Sequence, residues 1–458
     1  MTSKITDNFS RESLLLLEKD IDTAADAYYL GLARVSSYRE EEDLTSLKFQ
    51  RAVRETILAV KTISGSSFVV PRVNWDQNTY YDAYSDDVKG ENDQYVMNSN
   101  NEVFVCISPS IDAAGTVRVS TVEPTSILAN GQGKTFQTSD GYSWRYLYPL
   151  SNVDASRYLT NDFLPVKRIT STDAFLPVSE DTIQRALQDS AVGGEILGIA
   201  IETAGTGYTA TNLPTVSIVG NGTNAEFLID INEGGISRAT VDSDGNGVLL
   251  HGSGYDYAEA VVSYGDAVLR PIISDQDGFG YDPRKTLKTN SLMLQTSFQG
   301  DEFDTILAQN DFHQVVIVKN LKKYNRVADS DYTGNTGLAV KSFDVTPGAV
   351  IFDHDAIFIT SVNARGRVVH HDEVLGKLYY YQDIETGYTD VTGSASATQS
   401  GTNKSVTITG TNDPDVDVYS GEILYINNIG SSGFETDTSG VTREDAQTEN
   451  IRIVLQLG

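Results

Sequence analysis

Val69-Val70-Pro71-Arg72-Val73-Asn74-Trp75-Asp76, running on through Tyr80-Tyr81-Asp82-Ala83-Tyr84, is the stretch on which the reading of this chain turns. Pro71 locks its own φ and drives Val70 into the extended region, so the segment breaks with any helix before it and reads as a short strand entering a turn. Trp75, one of two tryptophans in the chain, then stands in a run of tyrosines and aspartates. Rings of this size dominate core energetics, and their polar tips need hydrogen-bond partners. No nucleophile, metal cluster or phosphate cradle surrounds them. The expected role is an anchored loop in a core.

On the N-terminal side two helices are expected. Ser10 is placed to cap the first, with Glu12 in its opening turn and Leu14, Leu15, Leu16 and Leu17 behind it. Residues 28–35 read as a strand. A second helix is expected from near Thr45 to near Ser64-Gly65, with Leu47, Val53, Ile57, Leu58 and Val60 at helical spacing. It runs straight into the quoted stretch, which then acts as an elbow between a helical start and a β body.

Beyond residue 85 the pattern becomes short strands and turns. Strands are expected over 102–107 and 117–122, punctuated by Pro109 and Gly115. In Asp140-Gly141-Tyr142-Ser143-Trp144-Arg145-Tyr146-Leu147-Tyr148 the rings at 142, 144, 146 and 148 alternate, which predicts one wholly aromatic strand face. Such a face belongs to a core or to an interface, with core the expected one. Residues 193–265 hold an internal repeat. Gly205-Thr206-Gly207-Tyr208 recurs as Gly252-Ser253-Gly254-Tyr255, each flanked by β-branched strands. Two copies fall short of the three or so that a free-standing solenoid needs, so a compact two-fold β module is expected. Later strands are expected over 314–318, 349–352, 356–360, 377–381, 405–409, 422–426 and 451–455. A basic turn lies at 319–323 and a Ser-, Thr- and Gly-rich loop tip at 393–403. The fold class is mainly β and multidomain, built of sandwich- or barrel-like modules with two N-terminal helices.

At 458 residues the chain exceeds a single core, and roughly three domains are the prior. A net charge of −29 and a pI near 4.4 argue against binding a phosphate backbone, which needs clustered Lys and Arg. They suit docking on a basic protein surface. The single cysteine, Cys106, excludes an internal disulfide framework and lies in an apolar run as a buried thiol. The first residues carry no apolar signal region, and no run of about 18 apolar residues is present, so assembly in a cytoplasm without membrane insertion is expected.

Chemistry-bearing motifs fail one by one. Gly131-Gln132-Gly133-Lys134-Thr135 resembles the end of a phosphate-binding loop, but Leu128 stands where the first glycine belongs. Asp242, Asp244 and Asn246 match the first half of a calcium loop, whereas its twelfth position is Ser253 rather than glutamate. His370-His371-Asp372-Glu373 reads as a polar loop, because neighbours on a strand would point to opposite faces. His251, His313 and His354 belong to no constellation. No catalytic, cofactor-binding or metal residue is assigned, and no cofactor is expected.

The landmarks do match a family in their order. The 28–35 strand, the second helix, Val70-Pro71-Arg72-x-x-Trp75, Asp140-Gly141-Tyr142-x-Trp144-x-Tyr146-Leu147, the strand Val315–Asn320 (comparable to an isoleucine-rich strand of the family), Ser420-Gly421-Glu422-Ile423-Leu424-Tyr425-Ile426 and Thr448-Glu449-Asn450-Ile451-Arg452-Ile453-Val454-Leu455 resemble the baseplate wedge subunit of T-even-type contractile-tailed bacteriophages, the gene-product-eight family. The landmarks cover about half of the chain. The resemblance implies a non-enzymatic virion structural protein of the tail baseplate. It would form a homodimer within each wedge and contact neighbouring wedge and peripheral tail proteins. The domain plan that follows is 1–95 for the helices, strand and elbow; 96–190 for a β domain with the Asp-Gly-Tyr-x-Trp strand; 191–270 for an inserted Gly-Tyr module; 271–336 for a return to the core; 337–415 for a second inserted β unit; and 416–458 for closing strands. A carbohydrate-binding or depolymerising tail protein is the other class considered, with Tyr142, Trp144 and Tyr146 as a sugar-stacking platform.

Overall fold

A computed structural model describes residues 6–23, 28–34, 46–85, 91–112, 115–127, 133–170, 179–241, 250–300, 302, 305–307, 310–324, 330–428, 441–443 and 447–457. Strand outweighs helix, 43% against 13%, in several sheets, so the fold is mainly β. The chain forms two compact units. One comprises Met1–Leu14, Ser67–Met293 and Leu455–Gly458; the other comprises Leu15–Ser66 and Leu294–Val454.

In the first unit an antiparallel sheet runs in the order Tyr95–Met97, Glu102–Ser108, Ser143–Pro149, Thr135–Gln137. Tyr142, Trp144 and Tyr146 pack on one side with Tyr81, Val96, Phe104 and Cys106. The expected four-ring face stops there. Phe104 pairs with Tyr146 but Val103 pairs with Tyr148, so Leu147 is an extra residue. That bulge turns Tyr148 into the opposite cluster, with Val103, Val105, Leu164 and Val166. The strand Gly65–Pro71 pairs through Phe68–Pro71 with Phe163–Val166 and ends on Pro71, where a missing N–H is tolerated.

The strand expected over 117–122 is absent. Only the isolated bridges Ile111–Val117 and Thr79–Ser120 form, and a few backbone hydrogen bonds together with side-chain contacts hold the segment. Three helices that periodicity did not signal are present, Asn152–Tyr158, Ser179–Asp189 and Pro283–Thr286. The first and last open on side-chain caps, Ser151 and Asp282.

The Gly-Tyr repeat folds as two reciprocal halves. Its flanking strands pair with each other, Val216–Gly220 with Ala258–Val262. Tyr208 lies against Gly205 and Gly265, and Tyr255 lies against Gly220 and Gly222, so each ring covers a glycine that follows the other copy's strand. Adjacent polar residues repeat the exchange. Asn221 Oδ1 accepts from the Asp256 amide at 2.9 Å, and Asp266 Oδ1 accepts from the Thr206 amide at 2.8 Å. Both tyrosines are buried in one apolar cluster. Gly205, Gly207, Gly252 and Gly254 all have φ between +68° and +80°, the left-handed region open to glycine without a Cβ penalty.

In the second unit a five-stranded sheet runs Thr336–Leu338, Ile57–Thr62, Tyr28–Ala33, Gln314–Lys319, Glu422–Asn428. Phe49 and Val53 of the helix Leu47–Glu55 pack with Tyr29, Val60, Val316 and Val318 of that sheet. The second helix is therefore shorter than expected, and Ile57, Leu58 and Val60 belong to a strand. Their β-branched, continuously apolar run is buried by pairing with Tyr28–Ala33, which outweighs local helical spacing. The change from helix to strand falls at Thr56, not at Pro71. Ser10 likewise lies inside the first helix, Asp7–Thr23, and Thr6 Oγ1 accepts from the Phe9 amide at 3.3 Å in its place.

The same unit contains a closed barrel. Its strands run in the order Ser405–Thr407, Ser396–Gln399, Ile357–Thr360, Arg365–Asp372, Lys377–Tyr381, Lys341–Asp344, Gly410–Asn412. The two terminal strands are consecutive in sequence. Residues 405–412 pair with Ser396–Gln399 by their first half and with Lys341–Asp344 by their second, which closes the ring. Phe343, Phe358, Val368, Leu378, Tyr380, Ala397, Val406 and Ile408 fill the interior. Two expectations change here. Residues 349–352 form no strand, and the 393–403 stretch contains the strand Ser396–Gln399, with Ala395 and Ala397 in the barrel's apolar cluster.

Candidate functional site

The quoted stretch is held by a chain of polar contacts. Trp75 is only partly buried, and its indole Nε1 donates to Ser120 Oγ at 3.1 Å. Ser120 Oγ donates to Asp140 Oδ2 at 3.2 Å, and the same oxygen accepts from the amides of Thr121 and Val122 at 2.7 and 2.9 Å. Tyr142 OH donates to the Arg118 carbonyl at 2.6 Å. Asp140 thereby ties the 117–122 segment to the turn that opens the aromatic strand. Burial would raise its carboxyl pKa, but the hydrogen bonds from Thr138 and from the amides of Thr121, Val122 and Tyr142 prevail and hold it below the ordinary value.

The aromatic strand offers nothing to solvent. Tyr142 and Trp144 are 0% exposed and Tyr146 is 3% exposed. Tyr142 and Trp144 stack with centroids 5.7 Å apart, and Tyr81 meets Trp144 edge-on at 5.4 Å. A sugar platform made of these rings is ruled out, because no ring face is accessible.

Behind that strand lies a buried charge cluster that sequence patterning did not reveal. Arg145 Nη2 donates to Glu195 Oε1, and both side chains are 1% exposed. Lys134 reaches Glu195 Oε2 at 3.3 Å, and the Phe279 ring centroid lies 4.9 Å from the Arg145 guanidinium carbon. His251 Nδ1 lies 2.8 Å from the Ile196 carbonyl, so Nδ1 carries a proton and donates it there. Burial first, and then the Arg145 charge, push its pKa down to about 4. The cluster joins the aromatic strand to Ile196–Thr203 and His251–Ser253 of the Gly-Tyr module. A lone arginine in an alternating strand was the available signal, since a charge at an inward position requires a partner.

In the second unit Glu55, buried at the end of its helix, accepts from Arg51 Nε at 2.7 Å, Tyr388 OH at 2.5 Å and Tyr419 OH at 3.3 Å. Arg34 is buried and pairs with Asp355 at 2.5 Å beside His354.

His370 and His371 lie in the strand Arg365–Asp372, not in a loop, and their rings are not brought together; His370 stacks on Tyr379, whereas His371 is buried. Thr135 begins a strand rather than a helix, and Lys134 pairs with Glu195. Gly131 and Gln132 lie outside the described residues, as do Asp242, Asp244 and Asn246. Cys106 is fully buried, and burial pushes its thiol pKa up. Among the described residues no group of three or more His, Cys, Asp or Glu is arranged to hold a metal ion, and no helix is long and apolar enough to cross a membrane. A cavity of about 10 Å³ lined by Ser67, Tyr148, Lys167 and Gln184 is far below the roughly 300–1,000 Å³ of small-molecule sites.

Apolar side chains do reach solvent at loop tips. On the barrel these are Val350 and Ile351, together with Val374 and Leu375 in the turn after Arg365–Asp372. Asp372 Oδ1 accepts from both the Val374 and Leu375 amides at 2.8 Å, which fixes that turn. Comparison of the chain with protein-family models and with curated proteins returns no match.

Proposed function

We propose that this protein is a structural subunit of a contractile phage tail, a baseplate wedge component that works by packing against copies of itself and neighbouring tail proteins. One observation carries the reading. Three of the family landmarks, the strands Tyr28–Ala33, Gln314–Lys319 and Glu422–Asn428, each lie more than 100 residues from the next in sequence and are adjacent in one sheet. Segments that share both an order along the chain and a common sheet are what a preserved structural core supplies. The packed barrel and the solvent-facing apolar tips suit a part that is assembled rather than one that turns over a substrate. On this reading function resides in interfaces of about 2,000 Å² or more, and triggering is a change between discrete packings.

Light scattering on the purified chain tests the first step. A homodimer of about 100 kDa, twice the 49.9-kDa chain, is expected. Mass spectrometry of purified tail baseplates from the source virus tests the second. A chain that stays monomeric at high concentration and is missing from those baseplates overturns the reading.

A further inference from the structure

The end of the barrel carries a strap whose fastening is a histidine ring. Residues 346–353 cross from the strand Lys341–Asp344 toward Ile357–Thr360, and Phe352 is buried in the barrel's apolar cluster. The backbone amide of Phe352 donates to His371 Nδ1 at 3.0 Å, and the two rings meet edge-on with centroids 6.0 Å apart. The next residue is fastened from the other side. The Asp353 amide donates to Gln399 Oε1 at 2.8 Å, and the Asp353 carboxylate accepts from Gln399 Nε2 at 2.6 Å and from Lys404 Nζ. Earlier in the strap the Gly348 amide donates to the Glu373 carbonyl at a long 3.3 Å. Exposed Val350 and Ile351 ride on the strap between these points.

We propose that protonation of His371 unfastens this strap, so that the barrel end and its apolar tip open in mild acid. A ring nitrogen that accepts an amide hydrogen bond must be unprotonated. Adding a proton to Nδ1 sets one donor against another, and Phe352 loses its partner while still buried. Burial, and next the neighbouring His370, lower the pKa of His371; Asp372 and Glu373 oppose them. On the facing strand Lys377 stands opposite Asp372, and on the strap Asp353 is engaged by Lys404. The neutral ring is thus the resting state near neutrality, and the fastening is lost as pH falls below the ordinary histidine range. The inference rests on the barrel alone and does not depend on the baseplate reading.

Hydrogen exchange on the intact chain, corrected for intrinsic rates, tests it between about pH 7.5 and pH 5. The expected result is a loss of protection of about tenfold or more confined to residues 346–353, with the barrel strands unchanged. His371→Asn places a carbonyl oxygen near the Nδ1 position and does not titrate, so its strap protection stays flat across that range. His370→Asn, changed on the other face of the strand, keeps the loss of protection in acid, moved toward higher pH because the neighbouring charge that lowers the His371 pKa is gone. Flat protection in the wild type, an undiminished response in His371→Asn, or a response lost in His370→Asn overturns the proposal. Should His371→Asn fail to fold, the wild-type and His370→Asn profiles still decide it.

Discussion

Arg145 and Glu195 form an ion pair with both side chains 1% exposed, one on the aromatic strand and the other at the threshold of the Gly-Tyr module. Removing one partner leaves an unpaired buried charge. Glu195→Gln or Arg145→Met is therefore expected to cost about 3–5 kcal/mol in urea unfolding of the first unit, whereas the double apolar replacement costs less than either single change. Additive losses in that double-mutant cycle would show that the pair is not coupled.

His251 makes stability depend on pH. Its folded pKa, about 4, lies below the ordinary 6.5, so the unfolded chain binds the proton more readily. The sign follows: stability is fully present above pH 6.5 and falls as pH drops toward 4, by about 3 kcal/mol for a single site. Denaturant unfolding of the wild type and His251→Gln across that range measures it. Equal slopes for the two would remove His251 as the source.

Trp75 is a partly buried anchor, and its loss is expected to be moderate. Trp75→Ala costs about 2 kcal/mol, below the roughly 3–5 kcal/mol of a fully buried ring. Trp75→Phe, which loses the N–H bond to Ser120, costs about 1 kcal/mol. Thermal unfolding checks both, and identical midpoints for all three chains would refute the anchor.

The two glycine classes of the repeat separate sterics from backbone strain. A Cβ at Gly222 would collide with the Tyr255 ring, so Gly222→Ala costs about 2 kcal/mol or more. At Gly254 a Cβ meets no neighbour, but φ is +74°, so Gly254→Ala costs about 1 kcal/mol. Chemical denaturation of the two variants gives the order, and Gly254→Ala being the worse would reverse the assignment.

Much of this architecture is legible in local chemistry. Short apolar runs bounded by turn residues mark the strands at 28–33, 102–108, 314–319 and 377–381, and the alternating rings at 142, 144 and 146 mark the strand 143–149, since strands buried on both faces read as continuous apolar runs and a period of two follows from the pleat. The repeated Gly-x-Gly-Tyr marks a two-fold module, since its glycines occupy φ values that other residues resist. Ser151 with Asp154, and Asp282 before Pro283, were helix-start signals open to the same reading.

What tertiary structure alone decided lies where a distant partner outweighs local preference. Ile57–Thr62 is a strand because Tyr28–Ala33 pairs with it, although its apolar spacing also fits a helix. Tyr148 parts from the other rings because one extra residue, Leu147, shifts the register. Barrel closure through residues 405–412, the Arg145–Glu195 pair and the His371 fastening all join groups that no spacing rule connects. The same holds for Val69–Tyr84. Local sequence determined that Pro71 ends a strand there, while the anchoring of Trp75 through Ser120 to Asp140 needed the chain to return 45 and 65 residues later. Hydrogen bonds and burial act through space, and separation along the chain carries no trace of them.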